Sequence, residues 1–361
     1  MSTIVVRCCA VLVLLTTPVF AQEVVVQVDP RVELVSALFR SGGRREYNQG
    51  RVPRWNVALD SLFNANAGHA ALPIARRLAT QYNVGFFAPI SLALHLRPAP
   101  ALGVVPELAT AASLHRTWTT YPDSTTAFVA AFASFWGESR FDAFLRAHSA
   151  LTDTTRQRLR ALVERGVVAP WFRRFWGDSS ISRLTVMPGL TVATASYGLD
   201  VASPDGKREG YAVIGVTKTD VDGLPRFDST DVHTVIHELN HPYVTAVLRR
   251  APPSLRSVSD SLYRGVAAEM RRIGYGTADA MLNEALVRAA VIRYLRTTVS
   301  PSAAATEIDA QRREGFVWIA DVAAALDEYD TNRDRYPGFD AFVPVLVERL
   351  RQAMAAPSSK P

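Results

Sequence analysis

The chain has 361 residues, 48% of them hydrophobic and 20% charged, with two cysteines. Those proportions exclude a disordered or collagen-like chain and describe a soluble globular protein with a large core, built as one two-lobed domain or as two domains. The net charge of +6, from 40 basic and 34 acidic side chains, is small. The basic residues are nearly all arginines, scattered in pairs such as Arg76-Arg77 and Arg271-Arg272. No basic run tracks a phosphate backbone, so no nucleic-acid partner is expected.

The first 21 residues read as a bacterial secretory signal. Arg7 precedes an apolar run broken by Thr16, Thr17 and Pro18, and Val19-Phe20-Ala21 places small residues where a signal peptidase reads. Cleavage is expected after Ala21. A retained membrane anchor is the weaker reading, because the run is shorter than the roughly 20 residues that cross a bilayer. Cys8 and Cys9 both lie in this segment. The mature chain therefore has no thiolate metal site, cysteine nucleophile or disulfide, and is expected outside the cell or in the periplasm.

Residues 23–28 suggest a short strand. Residues 31–170 read mainly as helices, with apolar side chains at three and four spacing in Trp55, Leu59, Leu62 and Phe63, and in Phe128, Ala131, Phe132 and Phe135. Near residue 180 the texture changes, and β-branched and aromatic residues suggest strands at 184–186, 190–197 and 211–216. Ser203-Pro204-Asp205-Gly206 is a strong turn between the last two. From Val232 onward helices return, ending in a loose tail from residue 355. The expected fold is α+β and predominantly helical: a helical N-terminal lobe over 22–170, then a lobe over 171–361 with a small sheet beside its first long helix.

That helix carries the chemistry. His237-Glu238-Leu239-Asn240-His241 is an H-E-x-x-H pattern. On a helix, residues four apart share one face, so two imidazoles can take two positions around one zinc ion. The glutamate between them is placed to hold a water and accept its proton. With seven histidines in 361 residues, the chance expectation for the pattern is about 0.005. Ser229, Thr230 and Asp231 are good helix starters, and Val232, Val235, Ile236 and Leu239 form an apolar stripe. Pro242 leaves the Glu238 carbonyl without its helical donor, so the helix is expected to kink or end there. His233, one turn earlier, is read as a helix-start residue or one outside the ligand shell.

A third protein ligand leaves one position open for water. The extended pattern with a third histidine fails, since Val244 and Val247 occupy its last two positions. The strongest candidate is Glu284, on a helix capped by Thr277 and sharing a face with Met281, Val287, Val291 and Leu295. A carboxylate there is costly to bury unless paired or metal-bound. A surface pair with Arg288 is the competing explanation, and Asp279 and Glu269 remain alternative ligands. With zinc held by His237, His241 and Glu284, Glu238 would act as general base toward a peptide carbonyl. Tyr275, Tyr243 and Arg288 are the candidate donors to the oxyanion or to the ligands. The strand at 211–216 is placed by chain order to pair with an extended peptide.

With Asn283-Glu284 downstream of His237-Glu238-x-x-His241, the chain resembles a gluzincin-type zinc metallopeptidase. More narrowly it is similar to a family of secreted bacterial proteins carrying a domain of unknown function and regarded as candidate metallopeptidases. Arg45-Glu46-Tyr47-Asn48, Pro242-Tyr243-Val244 and Asn283-Glu284-x-x-Val287-Arg288-Ala289 also carry the resemblance. The 42 residues between His241 and Glu284 exceed the spacing in thermolysin-like enzymes, although long gaps occur among gluzincins. The resemblance implies a zincin-like C-terminal lobe, one zinc per chain and a peptide or protein substrate. A non-catalytic binding protein on the same scaffold, or a zinc hydrolase of a non-protein amide, are the alternatives.

Overall fold

Strand β1 (Val24–Val26) opens a computed structural model that describes residues 24–355, apart from 104–107, 109–110, 193 and 203–204. The signal segment, both cysteines, the Ser203-Pro204 half of the expected turn and the tail after 355 lie outside the described residues. Helix α1 (Pro30–Ser41) starts where the Asp29 carboxylate accepts the Arg31 amide and Pro30 presets the backbone. A 3-10 turn at Arg45–Tyr47 follows, then α2 (Pro53–Ala65), α3 (Ala71–Thr80), α4 (Ala88–His95), α5 (Thr117–Thr120), α6 (Pro122–Glu138) and α7 (Phe141–Ala147). Proline in the first turn of α2, α4 and α6 costs no hydrogen bond, because that N–H has no helical partner. Helices α8 (Ser149–Gly166) and α9 (Ala169–Trp176) lead into β2 (Ile181–Gly189), β3 (Tyr197–Ala202) and β4 (Arg208–Gly215). Six helices complete the chain: α10 (Ser229–Arg249), α11 (Pro253–Arg272), α12 (Ala278–Thr298), α13 (Pro301–Glu314), α14 (Ile319–Thr331) and α15 (Phe339–Ala355). The fold is α+β and predominantly helical, with fifteen α-helices and one four-stranded sheet among the described residues.

The sheet runs β1-β2-β4-β3, with β1, β2 and β4 parallel and β3 antiparallel to β4. Alternating side chains divide the apolar interior into two cores. Ile181, Leu184, Val186, Ala212 and Ile214 face a core that includes Val235, Leu239, Leu286 and Ile319 of the C-terminal helices. Met187, Leu199, Tyr211 and Val213 face the core of α1–α7, with Leu38, Trp55, Phe128 and Phe135. Helix α8 contributes Leu159, Leu162 and Val163 to the first of these cores, and β1 belongs to the shared sheet.

One expected strand and one expected role are corrected. Of the strand expected at 190–197, residues 190–192 and 194–196 are a loop, and β3 begins only at Tyr197. Leu190 and Val192 are buried, which gives the loop a strand-like apolar pattern, but its polar groups bond to a side chain instead of a neighbouring strand. The Glu33 carboxylate accepts the Leu190 amide at 3.0 Å and the Thr191 hydroxyl at 3.3 Å, and the Trp55 indole donates to that hydroxyl at 3.0 Å. The strand expected at 211–216 is β4. It lies between β2 and β3, so its backbone has no free edge to offer a peptide.

Glu33 is fully buried, and burial, only partly countered by the Leu190 and Thr191 hydrogen bonds, pushes its carboxyl up to about 7. The folded state therefore holds the proton more tightly than the unfolded chain. The associated stability is complete below the unfolded value of 4.5 and is lost as pH rises through about 7. Denaturant unfolding of wild type and Glu33→Gln at pH 5 and pH 8 should show the variant gaining about 2–3 kcal/mol relative to wild type across that interval. A pH-independent difference would contradict this assignment.

Candidate metal centre

Helix α10 begins with a reciprocal cap. The Asp228 carboxylate accepts the Thr230 amide at 3.1 Å, and the Asp231 carboxylate accepts the Asp228 amide at 2.7 Å. The start is thus one residue earlier than the Ser229-Thr230-Asp231 expectation, with Asp231 completing the box. Val235, Ile236 and Leu239 bury one face of α10. Between them and the cleft, the fully buried Asn240 accepts the Trp176 indole N–H at 2.8 Å and donates to the Ile236 carbonyl at 2.8 Å, fixing α10 against α9.

The helix runs through Pro242 to Arg249 without ending. The reason lies in how the sheet meets it. A Cβ on Gly198 of β3 would come within 2.1 Å of the Glu238 carbonyl oxygen, and one on Gly210 of β4 would come within 3.1 Å of the Pro242 ring. Proline withdraws the donor from the Glu238 carbonyl, and two glycines let the strands close onto that face. The result is a helix pressed directly on the face of the sheet. The Gly198 amide also faces the Glu238 carboxylate and favours its ionised form.

Helix α12, capped by the Thr277 hydroxyl as expected, packs against α10 and brings Glu284 to the two histidines. One ligand atom from each of His237, His241 and Glu284 lies within 4.8 Å of the others. Nε2 of His237 is 3.3 Å from Glu284 Oε1, and Nε2 of His241 is 3.9 Å from Glu284 Oε2. Glu238 Oε2 stands beside the group, 3.7 Å from His241 Nε2. The other nitrogen of His241 donates to Asn283 Oδ1 at 2.9 Å, because an amide oxygen can only accept. Asn283 Nδ2 in turn donates to Thr245 Oγ1 at 3.2 Å. This chain sets the tautomer that leaves the His241 Nε2 lone pair facing Glu284.

Protonation suits a cation. Burial holds His237 down at about 3 and lowers His241 as well, against the pull of Glu284. Both imidazoles are therefore neutral at pH 7, with lone pairs to give. Burial opposes ionisation of Glu284, yet His237, His241 and Arg288 hold its carboxyl down at about 2. With the imidazoles neutral, the Arg288 guanidinium does this work at pH 7. Glu238 moves the other way: burial, then the charge of Glu284, push it well above the usual carboxylate range. Two neutral nitrogens and one carboxylate oxygen are a donor set that fits zinc and leaves a position open.

The remaining candidates separate clearly. Arg288 donates to Glu284 Oε1 at 2.8 Å and to the Tyr275 hydroxyl at 3.2 Å, with its guanidinium 4.6 Å from the Phe316 ring centroid. The Glu284–Arg288 pair of the competing explanation therefore exists, but it is buried and joined to the histidines. The Tyr275 hydroxyl lies near enough to Glu284 to feel its charge, so both residues border that carboxylate. Tyr243 does not belong to the group. It is 1% exposed, and its ring runs parallel to those of Trp176 and Phe172, 5.9 and 6.4 Å between centroids. Two residues beyond His241, it faces the apolar side of α10. Glu269 and Asp279 are exposed. His233 Nε2 sits 3.2 Å from Glu307 Oε1, outside the three-residue group. Asn283, Asn240 and Gly198 acquire roles that the sequence reading did not give them. Asn283 had a signal in its place beside Glu284; the other two had none.

The group opens on a cleft of about 330 Å³ lined by His237, Glu238, Thr234, Ser196, Thr194 and Arg288, among others. Strand β3, at the edge of the sheet, flanks it, and the Ala202 amide donates to the Ser113 hydroxyl at 3.1 Å. Replacing Asn283 with alanine removes the partner of His241 Nδ1 and should weaken zinc binding roughly 10- to 100-fold. Competitive titration with a chelator measures this, and unchanged affinity would refute the orienting role.

The family described as a domain of unknown function (DUF4932) matches residues 101–349, a span that contains His237, Glu238, His241 and Glu284. Searches of curated proteins and of solved structures return no match. The match covers more than half of the chain, and the chain belongs to that family.

Proposed function

We propose that the protein is a zinc-dependent metallopeptidase of the gluzincin type, with residues 171–361 as its catalytic lobe, released outside the cell or into the periplasm after cleavage of residues 1–21. One observation carries this reading: the buried Glu238 stands beside the three donors without being one of them, 3.7 Å from His241 Nε2. A site that only binds metal has no use for such a base. His237, His241 and Glu284 would hold the ion, which when bound supplies Lewis-acid polarisation and a water of lowered pKa. Glu238 takes a proton at its carboxylate and passes it to the leaving amine. Asn283 orients His241, while Arg288, bonded to Tyr275, holds Glu284 in place. An extended substrate would meet the cleft's side chains and the outer edge of β3, since β4 has no free edge.

The test combines elemental analysis with peptide hydrolysis. Wild type should carry about one zinc per chain. Glu284→Ala should lose most of it. Glu238→Gln should keep the zinc and lose peptide cleavage by about 10²-fold or more. No zinc after metal is supplied would overturn the reading. Zinc without hydrolysis of any peptide would leave a non-catalytic binding protein.

A further inference from the structure

We propose that Phe86 forms a subsite at the rim of the cleft, where it receives a large apolar side chain of a peptide substrate several residues from the scissile bond; this rests on the peptidase reading.

Phe86 is 63% exposed, has φ of 52° and is followed by Phe87, 41% exposed. A bulky aromatic residue rarely adopts that left-handed backbone, and it persists only where the surroundings impose it. Here they do. Glu46 accepts the Phe86 amide at 2.7 Å, and the Tyr47 hydroxyl donates to the Phe86 carbonyl at 2.5 Å. Arg44 lies 5.9 Å from the ring centroid, and it is itself fixed by Glu46 at 3.0 Å and Asn83 at 2.9 Å. A Cβ on Gly85 would come within 2.2 Å of that guanidinium, so the preceding residue leaves it room. The Arg44–Tyr47 segment thus spends three side chains on holding one phenylalanine in an unfavourable conformation, out of the core.

The same segment reaches the cleft. Three residues after Glu46, Gln49 accepts a hydrogen bond from Thr194, which lines the cleft. Three residues span at most roughly 11 Å, so the backbone that holds Phe86 passes within a few side-chain lengths of Thr194. Inside the cleft, Ile214 is the one wholly apolar side chain among the described lining residues. A substrate's large apolar side chain has little to bury against there, whereas the open face of Phe86 offers an aromatic contact.

Phe86→Gly is the decisive variant. It removes the ring, and glycine accepts positive φ without steric cost, so unfolding does not confound it. Paired peptides share one cleaved sequence and differ in carrying Phe or Ser at each distal position in turn. In wild type, one distal Phe should lower KM about tenfold relative to Ser, and Phe86→Gly should abolish that ratio. The same peptides, fluorescently labelled, are titrated into zinc-loaded Glu238→Gln with and without Phe86→Gly. Cleavage with no distal Phe preference, or with one that Phe86→Gly leaves intact, overturns the subsite and spares the peptidase reading. Phe-dependent binding that is lost in Phe86→Gly, with no cleavage by the wild type, supports the subsite and sinks the peptidase reading. Absence of both binding and cleavage overturns the subsite. Ring-dependent binding of a soluble chitooligosaccharide in place of the peptides overturns the peptide assignment.

Discussion

Two carboxylates, Glu238 and Glu284, are buried in one cleft beside two imidazoles, and the C-terminal half of the chain is arranged around that constraint. Isolated ionised groups in such a place are strongly disfavoured. The chain meets the demand unequally. Glu284 has a permanent positive partner in Arg288, which is further tied to Tyr275 and Glu314 and lies against the Phe316 ring. Burial and the neighbouring charge of Glu284 raise the proton affinity of Glu238. One carboxylate is therefore fixed as an anion and the other is poised to exchange a proton. Neutral imidazoles complete a set whose remaining demand is for a cation.

The close contact between α10 and the sheet makes this arrangement possible. Pro242, Gly198 and Gly210 act together: the proline frees the Glu238 carbonyl, and the glycines allow the strands to approach it. Beyond the histidines, the fully buried Asp200 of β3 receives Arg249 of α10 at 2.6 and 2.8 Å, locking the far end of the helix to the same strand. Trp176 and Asn240 fix the opposite side. The position of the Glu238 carboxylate is thus set by a strand, a helix and an indole that are far apart in sequence.

Much of this was legible beforehand, for reasons that differ by residue. His237, Glu238 and His241 share a helical face by spacing alone. Glu284 stood out as a carboxylate on an apolar face, where burial without a partner is too costly. The predominantly helical α+β class followed from periodicity on either side of a β-branched segment. The segment at 190–196 was misread because its buried Leu190 and Val192 mimic a strand, while its hydrogen bonds go to Glu33, over 150 residues away. Pro242 looked like a helix end because nothing local shows that strands from another part of the chain will pack against it. Tyr243 looked like a site donor from adjacency, yet two positions past His241 is the apolar side of the helix. Gly198, Asn240 and the Arg44–Phe86 clamp depend on tertiary contact, which one sequence does not display.

The central claim is that one metal ion sits among His237, His241 and Glu284 with Glu238 outside the ligand set. Anomalous diffraction at the zinc edge, from crystals of the protein supplied with zinc, tests it most directly. The account predicts a single strong peak at bonding distance, roughly 2.0–2.2 Å, from Nε2 of His237, Nε2 of His241 and a carboxylate oxygen of Glu284. A peak ligated by Glu238 in place of Glu284, a peak between His233 and Glu307, or no peak at all would contradict it.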